Sequence, residues 1–245
     1  MDIKNALTKE YEVKSYEVNC NNQLKPSNLL HLLEDVAYQS AEELGFGYSE
    51  VYLNGLAWFV VKYRLELLHL PCAWENIKIK TWPILSRGVT CRRDFEVYKD
   101  DKIITRASSL WAVVDMNTKR LLNPFKTLNF PELDETHALE TDYSKIETLD
   151  NYDLEKEITI RFDDIDLNGH VNNSNYISWA QDIFDDDFLK SHSPKGIEID
   201  YKKEATKEDK IICSCAKYFE EENKSLHVLK KQDGTEVAQI KIYWE

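Results

Sequence analysis

The sequence predicts an α+β protein whose two halves repeat one order of elements, a helix followed by a run of antiparallel strands. Two observations support this fold class. In each half an amphipathic helical stretch precedes four β-rich segments, and two short stretches of sequence align between the halves. Because a single amphipathic helix cannot bury its apolar face alone, we expect each sheet to curl around its helix and the two halves to pair.

The first half begins with a predicted helix over residues 26–45, in which Pro26 and Ser27 form a start signal and Gly45 a stop signal. Apolar residues recur at helical spacing along it, namely Leu29, Leu33, Val36, Ala37 and Leu44. Acids occupy the predicted outer face, namely Glu34, Asp35, Glu42 and Glu43. Strand-like segments follow at residues 58–67, 77–84, 91–98 and 104–114.

The second half repeats this order. A predicted strand at residues 158–162 leads into a polar segment and then a short helix. The apolar face of that helix carries Tyr176, Ile177, Ala180, Ile183 and Phe184. Four predicted strands follow, at residues 197–201, 211–218, 225–230 and 237–244.

The local sequence also repeats between the halves. Residues 61–67 align with residues 199–205, and residues 75–79 align with residues 208–212. Two matches in register, with the same element order, predict an internal duplication. We therefore expect a first repeat at 1–130, a linker at 131–156 and a second repeat at 157–245. The linker region is acidic, with ten acids against two lysines between Pro131 and Glu157, and is expected to be mobile or to lie along the surface.

Composition argues against several classes of protein. The net charge of −13 argues against binding to nucleic acid, which requires a basic surface. The longest apolar stretch, residues 56–61, is far shorter than the roughly 18 residues of a membrane span, and the N-terminus lacks the apolar run of a signal peptide. The cysteines are five in number and scattered, which favours a reducing cytoplasm over a disulfide framework.

Basic residues are concentrated in one part of this acidic chain. Arg87, Arg92, Arg93 and Arg106 form this group, and Lys119 and Arg120 follow. Two interpretations are open, a solvated surface or a docking site for an anionic partner.

The polar segment Asp164-Ile165-Asp166-Leu167-Asn168-Gly169-His170-Val171-Asn172-Asn173 is the strongest candidate for function. Its first six residues fit the start of a calcium-binding EF-hand loop, but the twelfth position, which needs a bidentate acid, is Asn175. Zinc is not favoured either, because Cys213 and Cys215 form a C-x-C pair on a predicted strand without the paired spacing of structural zinc sites. We therefore predict no metal site and interpret the two cysteines as packing residues.

Two interpretations of this segment remain open from residue chemistry. Asn168-Gly169 is a good turn dipeptide, and Asn172 or Asn173 is a natural N-cap for the next helix. A turn alone does not explain the acids at 163, 164 and 166, which repel one another unless they find partners. A histidine near a helix start, beside a carboxylate and free backbone N–H groups, can polarise a carbonyl and take a proton from water. The segment is therefore either a structural turn or a hydrolytic, acyl-handling site.

Residues 161–176 resemble the D-x-N-x-H-V-N-N-x-x-Y signature of acyl-acyl-carrier-protein (acyl-ACP) thioesterases, and residues 57–61 resemble a first-repeat strand of that family. The resemblance covers nearly the whole chain, and by it the chain is identified as a bacterial member. It implies the family fold, a double hotdog, in which two helices are each wrapped by antiparallel sheet. That fold agrees with the duplication.

The resemblance also implies catalytic residues. The family's catalytic Asp, Asn and His correspond to Asp166, Asn168 and His170, and its remaining acid corresponds to Glu204. Glu204 is our candidate for the general base or a direct nucleophile. His170 would bind the carbonyl or orient the water, Asn168 would hold substrate or water, and Asp166 would fix Asn168 and His170.

Two features of the Glu204 segment qualify this assignment. Many plant members have a cysteine after the acid, but the position here is Ala205, which excludes a cysteine mechanism. Strand alternation groups Glu204 with Glu198, Asp200 and Lys202 on a polar face, which suits a site at a wet seam between the repeats.

The resemblance further implies a single active site, with the first repeat forming a tunnel for the acyl chain. Candidates to line it are Trp58, Phe59, Leu29, Leu33 and Val36, although for each of them the sequence favours plain core. The implied reaction hydrolyses fatty acyl-ACP, releasing free fatty acid and ending chain elongation in fatty acid biosynthesis.

The implied partner is acyl carrier protein with its phosphopantetheine-linked chain, docked at Arg87, Arg92, Arg93 and Arg106. We expect no cofactor and a cytoplasmic monomer or homodimer. Two alternatives are an acyl-coenzyme A thioesterase and a non-catalytic acyl-binding hotdog protein.

Overall fold

The computed structural model describes residues 3–86, 88–148, 151–218 and 222–245. The first half contains β1 (Leu7–Glu12), α1 (Pro26–Glu43), α2 (Tyr48–Leu53), β2 (Leu56–Leu67), β3 (Asn76–Ile84), β4 (Thr90–Lys99), β5 (Lys102–Asp115), β6 (Leu121–Leu122) and α3 (Pro124–Thr127). The second half contains β7 (Leu154–Thr159), a 3-10 turn (Phe162–Asp164), α4 (Asn175–Gln181), α5 (Asp186–Ser191), β8 (Pro194–Tyr201), β9 (Lys210–Tyr218), β10 (Lys224–Lys231) and β11 (Glu236–Trp244).

Across the described residues, the strands form one continuous sheet. Its order is β1-β3-β4-β5-β2-β8-β11-β10-β9-β7, with β6 added beside β5. Read inward from one end, the order is β1-β3-β4-β5-β2, and read inward from the other end it is β7-β9-β10-β11-β8. Each strand of the first half therefore has a counterpart at the same place in the second half. Helix α1 packs against the first half of this sheet and α4 against the second. This symmetry confirms the predicted α+β double hotdog and its origin in a duplication.

The two halves meet where β2 pairs with β8. Lys62 lies opposite Asp200 in the register, and these two residues are also matched in the sequence alignment of the repeats. The Lys62 Nζ lies 2.8 Å from Asp200 Oδ2, and Arg64 Nη2 lies 2.9 Å from Asp200 Oδ1. Asp200 is buried, so these cations offset the cost of removing its charge from water. Strand alternation had placed Asp200 on a polar face at a wet seam. That prediction is wrong for Asp200, which is buried.

Helix α1 begins at Pro26 as predicted and ends at Glu43, two residues before Gly45, whose φ of +78° suits a glycine. Its apolar face is part of the main core. Leu33 and Val36, together with Leu29, are fully buried there. This burial fits the core packing that the sequence favoured for these three residues, and their tunnel-lining role stays a prediction.

Several short elements were not predicted. Strand β1 is the counterpart of β7, and its charged residues Lys9, Glu10 and Glu12 obscure the alternation. It lies at the edge of the sheet, where one side of the strand stays in water and charge is tolerated.

The linker lies along the first repeat. Asp134 bridges to Ile84, the Ala138 N–H donates to Asp94 at 2.8 Å, and the side chain of Ile146 is buried. The segment is therefore held against the surface, one of the two states expected for it. Strand β7 starts at Leu154, inside the range predicted for the linker.

None of the helices in the described part of the chain combines the length and apolar character needed to cross a bilayer.

Candidate active site

The segment between β7 and α4 folds into a closed loop. Ile165 and Val171 form an antiparallel bridge, and inside it the Asp166 N–H donates to the His170 carbonyl at 2.8 Å. Gly169, with φ of +79°, allows the chain to reverse, and its N–H donates to the Asp166 carbonyl at 3.1 Å. The Asp166 Oδ1 accepts from the backbone N–H of Asn168 at 2.8 Å and of His170 at 3.2 Å. Asp166 thus holds the backbone of both residues.

The neighbouring acid has its own partner. Asp164 is buried, and its carboxylate accepts from Arg161, at 2.9 Å from Nη2 and 2.7 Å from the backbone N–H. The two neighbouring acids Asp164 and Asp166 therefore have different structural roles. Asp164 is paired to Arg161, and Asp166 organises the loop.

A second segment brings Glu204 to this loop. Strand β8 ends at Tyr201, whose hydroxyl donates to the Asn173 carbonyl at 3.1 Å. Further along, the Val171 N–H donates to the Ala205 carbonyl at 2.8 Å. These bonds place the His170 Nε2 at 3.2 Å from the Glu204 Oε2, with both side chains partly exposed. Glu204 lies beyond the strand, so strand alternation does not govern its direction.

One cleft of about 340 Å³ joins the predicted residues. Asp166, Asn168, His170 and Glu204 line one side of it. Trp58 and Phe59 of β2, with Trp111 of β5, line another side and come from the first repeat. The Trp58 indole N–H is fixed by the Phe46 carbonyl at 2.9 Å. Polar groups of one repeat thus face an apolar surface of the other, an arrangement suited to a ligand with a reactive polar end and an apolar chain.

A narrower apolar pocket of about 30 Å³ continues from this cleft. The two spaces share Tyr38, Trp58 and Trp111, and Phe46 lines the narrow part. Its small volume shows that an acyl chain entering here would have to displace side chains.

The arginines predicted to dock a carrier occupy different environments. Arg92 is 7% exposed, and its Nε lies 2.8 Å from Asp94 Oδ1. Arg93 is 5% exposed and donates to Ser40 Oγ at 3.0 Å, and burial lowers its pKa to about 10. Arg92 and Arg93 are therefore structural residues, and the docking prediction is wrong for both.

Of the two remaining arginines, only one can be described. Arg106 is partly exposed and pairs with Glu66 at 3.0 Å. Arg87 lies outside the described residues.

The start of helix α4 differs from the prediction. The N-cap position is Ser174, and Asn172 instead accepts from the Ser174 N–H at 3.0 Å. Residues 171–173 separate His170 from the N-cap of the helix, and the His170 N–H donates to Asp166 Oδ1. The helix N-terminus is therefore not the source of donors beside His170, and the Asn168 side-chain amide is the better candidate to bind a carbonyl oxygen.

Sequence reasoning missed two residues of α1 that face this loop. His31 Nε2 hydrogen-bonds Ser174 Oγ, which donates to Asn172 Oδ1 at 2.7 Å. Glu34 was placed with the exposed acids, but it is only 8% exposed. The available signal was its spacing from Leu30 and Ala37, which puts Glu34 on the buried stripe of the helix.

Glu34 is also electrostatically unusual. Burial, and after it the negative charge of Asp166, raise its pKa from 4.5 to about 7, and the Asn173 amide partly opposes this shift. Its Oε1 has no hydrogen-bond partner among the described residues.

Comparison with known proteins identifies relatives over both repeats. Residues 4–125 match the sequence model of the acyl-ACP thioesterase N-terminal domain, and residues 147–245 match that of the acyl-ACP thioesterase C-terminal domain. The chain is 25% identical over 258 residues to the chloroplastic palmitoyl-acyl carrier protein thioesterase of Cuphea hookeriana, covering 96% of this chain and 61% of that protein. It thus spans about three fifths of the length of the curated plant relatives it matches.

Solved structures share the fold. An acyl-ACP thioesterase from Bacteroides thetaiotaomicron VPI-5482 superposes with a TM-score of 0.88 at 25% identity, covering 98% of each chain. The 12:0-ACP thioesterase from Umbellularia californica superposes with a TM-score of 0.86, covering 98% of this chain and 97% of that chain. At 21% identity the second likeness shows the fold alone.

Proposed function

Because this chain belongs to the acyl-ACP thioesterase family, we propose that it hydrolyses the thioester of fatty acyl-ACP, releases free fatty acid and so ends chain elongation in fatty acid biosynthesis. The observation that carries the proposal is the 3.2 Å contact between His170 and Glu204 in a cleft shared with aromatic residues of the first repeat. An acyl thioester has both parts that such a cleft can bind, a polar reacting carbonyl and an apolar chain.

The chemistry adds one water to the thioester carbonyl carbon. Glu204 takes a proton from that water, His170 orients the water, and the Asn168 amide stabilises the charge that develops on the carbonyl oxygen. The carbon–sulfur bond then breaks, the acyl group leaves as the carboxylic acid, and Glu204 gives the proton it took from the water to the carrier thiolate. Asp166 keeps Asn168 and His170 in place through their backbones. No cofactor enters this scheme.

The remaining features of the protein are proposed on narrower grounds. We assign it to bacteria, which the Bacteroides neighbour supports, and to a reducing cytoplasm, which its scattered cysteines support. We propose acyl binding for the repeat at 1–130, a linker at 131–156 and catalysis for the repeat at 157–245. A monomer or a homodimer is compatible with one site per chain.

The test is hydrolysis of acyl-ACP by the wild type and by the variants His170→Ala and Glu204→Gln. Removing a general acid or base lowers the rate by roughly 10² to 10⁴, so we expect kcat to fall by that order in each variant. Glu208→Gln, an exposed acid on the same segment, is the control and should keep wild-type activity. A fall in kcat of less than about tenfold for Glu204→Gln, or about 1.4 kcal/mol of barrier, would remove Glu204 from the mechanism.

The carrier is tested with one acyl chain on two carriers. We expect a higher kcat/KM for the acyl-ACP than for the matching acyl-coenzyme A. The reverse order would favour an acyl-coenzyme A thioesterase, and tight acyl binding without hydrolysis would favour a non-catalytic protein. A panel of acyl-ACPs of increasing length, assayed on the wild type and His170→Ala, then defines the preferred chain.

Docking at Arg106 can be tested separately. Charge reversal in Arg106→Glu should raise KM for the acidic carrier substrate and leave a small thioester unaffected. Equal effects on both substrates would refute docking at this residue.

A further inference from the structure

Glu34 is a buried acid of the first repeat that lies near residues 164–173 of the second, here called the reactive loop. It lies on α1, within the apolar stripe that packs into the core, and one of its carboxyl oxygens has no partner among the described residues. An unsatisfied buried carboxyl usually costs stability, so its presence beside a proposed active site needs an explanation.

The surroundings of Glu34 come from four elements. Asp166 and Asn173 belong to the reactive loop, and both act on its carboxyl. The charge of Glu34 contributes to a raised pKa at three tyrosines, namely Tyr38 of the same helix, Tyr63 of β2 and Tyr201 of β8. Among the described residues, no positive charge contributes to the pKa shift of Glu34. Arg93 of β4 is a buried cation that acts on Tyr63, but it is not among the groups that shift the pKa of Glu34.

The charge of Asp166 acts on Glu34, and two interacting carboxyls without a cation cannot both ionise at low cost. Asp166 already accepts two backbone N–H groups through its Oδ1. Glu34 is the deeply buried member, so it is the one that retains a proton.

Accepting the proposed thioesterase reaction, we propose that Glu34 is a positioning residue of the active site, a neutral carboxylic acid that holds the loop carrying Asp166 and Asn173. A protonated carboxyl offers an O–H donor and an acceptor oxygen, so it can serve the Asp166 carboxylate and the Asn173 amide together. An ionised carboxyl offers acceptors only and repels Asp166. The loop that aligns His170 with Glu204 is then set by the protonation of a residue from the other repeat.

This role has a definite pH dependence. The pKa of Glu34, raised to about 7, keeps the group neutral below that pH and ionises it above. The wild-type kcat should therefore fall as pH rises through about 7, and a side chain that stays neutral should remove this fall.

Activity tests the role with three variants. Glu34→Met removes both polar oxygens at similar volume and should lower kcat at least tenfold with a much smaller change in KM. Glu34→Gln keeps the shape and stays neutral, so it should recover most of the lost kcat and abolish the decline above pH 7. Glu43→Gln, an exposed acid near the end of the same helix, is the control for mutation of an acid on α1.

Two activity results would overturn the proposal. Equal inactivity of Glu34→Gln and Glu34→Met would mean that an ionised carboxylate is required, as for a general base. Wild-type kcat in Glu34→Met would mean that the group only fills space.

Thermal unfolding tests the protonation state without any substrate. An acid whose pKa is higher in the folded than in the unfolded state destabilises the fold as pH rises from the unfolded to the folded value. The Tm of Glu34→Gln minus that of the wild type should therefore grow between about pH 5 and 7 and level off above. A difference independent of pH would overturn the neutral-acid assignment, whereas absence of acyl-ACP hydrolysis with this titration intact would refute only the proposed function.

Discussion

The two repeats build the same loop before their central helices, and only the second equips it with acid and imidazole. In the first repeat Val18 bridges Leu24, as Ile165 bridges Val171 in the second. Inside the bridge the Asn19 N–H donates to the Gln23 carbonyl at 2.8 Å, the same distance as from Asp166 to His170. The loop geometry was therefore duplicated with the rest of the fold.

Side chains support the two loops in the same way. The Asn19 Oδ1 accepts from the backbone N–H groups of Asn21 and Gln23, each at 3.0 Å, as Asp166 does from Asn168 and His170. An amide oxygen is thus sufficient to build the turn. The charge of Asp166 and the ring of His170 are not needed for the shape of the loop, which supports a chemical role for both.

The clefts beneath the two loops are also alike in size. The first loop opens onto a cleft of about 350 Å³, against about 340 Å³ at the second. The Leu24 N–H donates to the Pro71 carbonyl at 2.8 Å, as the Val171 N–H donates to Ala205, so Leu70 takes the place of Glu204. The first loop therefore keeps Asn21 in the place of Asn168 but has no counterpart of the Asp166 carboxylate, the His170 imidazole or the Glu204 carboxylate at the matching positions, which supports the expectation of one active site per chain.

The opposing helices differ in the same sense. Gln181 of α4 is the counterpart of Glu34 of α1, because the two residues stand equally far along the chain from Asp166 and Asn19. Gln181 lines the first cleft. A carboxyl thus opposes the loop that carries His170, and an amide opposes the loop that carries Gln23.

Exchanging the histidine for its counterpart should have the largest effect. His170→Gln copies Gln23, so the loop should keep its fold, and kcat should fall by about 10³ because the imidazole is lost. The measurement is acyl-ACP hydrolysis together with Tm. The reciprocal change Gln23→His is the control and should leave activity unchanged. Near-normal turnover by His170→Gln would mean that the loops do not differ in catalytic capacity.

Exchanging the acid should have an intermediate effect. Asp166→Asn copies Asn19 and retains an oxygen for both backbone N–H groups, so Tm should change little. Loss of the charge should lower kcat by roughly ten- to hundredfold, equivalent to about 1.4 to 2.7 kcal/mol of barrier.

Asp166→Asn also predicts a shift in the pH profile. Because the charge of Asp166 raises the pKa of Glu34, its removal should move the decline of kcat to lower pH. Asn19→Asp serves as the matched control. An unchanged pH profile in Asp166→Asn would show that the two carboxyls are not coupled.

The fold was largely predictable because its signals are local and occur twice. The helix spacing of Leu29, Leu33 and Val36 and the β-rich segments each predicted an element, and the repeat predicted their pairing. Strand β1 was missed because Lys9, Glu10 and Glu12 suit an edge strand in water and resemble a loop in sequence.

The candidate site was predictable only in part. The signature predicted the loop and Glu204, since these residues lie in two short segments. Arg92 and Arg93 were misjudged because both are buried, which no local pattern indicated. Asp94 neutralises Arg92 within the strand, and Ser40 of α1 accepts a hydrogen bond from Arg93 across the core. Glu34 was missed because its environment is formed by the other repeat, a contact that no local pattern encodes.

The smallest expected effect concerns the turn itself. Asn22 in the first loop has φ of +56°, and Gly169 in the second has φ of +79°. Asparagine tolerates this left-handed region, so Gly169→Asn should change the unfolding free energy by only a few tenths of a kcal/mol. A β-branched residue is strained there, and Gly169→Val should cost about 1 to 2 kcal/mol, a fall in Tm of roughly 2 to 8 °C. In the described part of the chain, apart from the adjacent residues, no heavy atom lies within 4 Å of a Cβ built at this position, so the cost of adding the Cβ should come from the backbone and not from a clash. Equal Tm values for Gly169→Asn and Gly169→Val would show that the second loop does not depend on the left-handed residue it shares with the first.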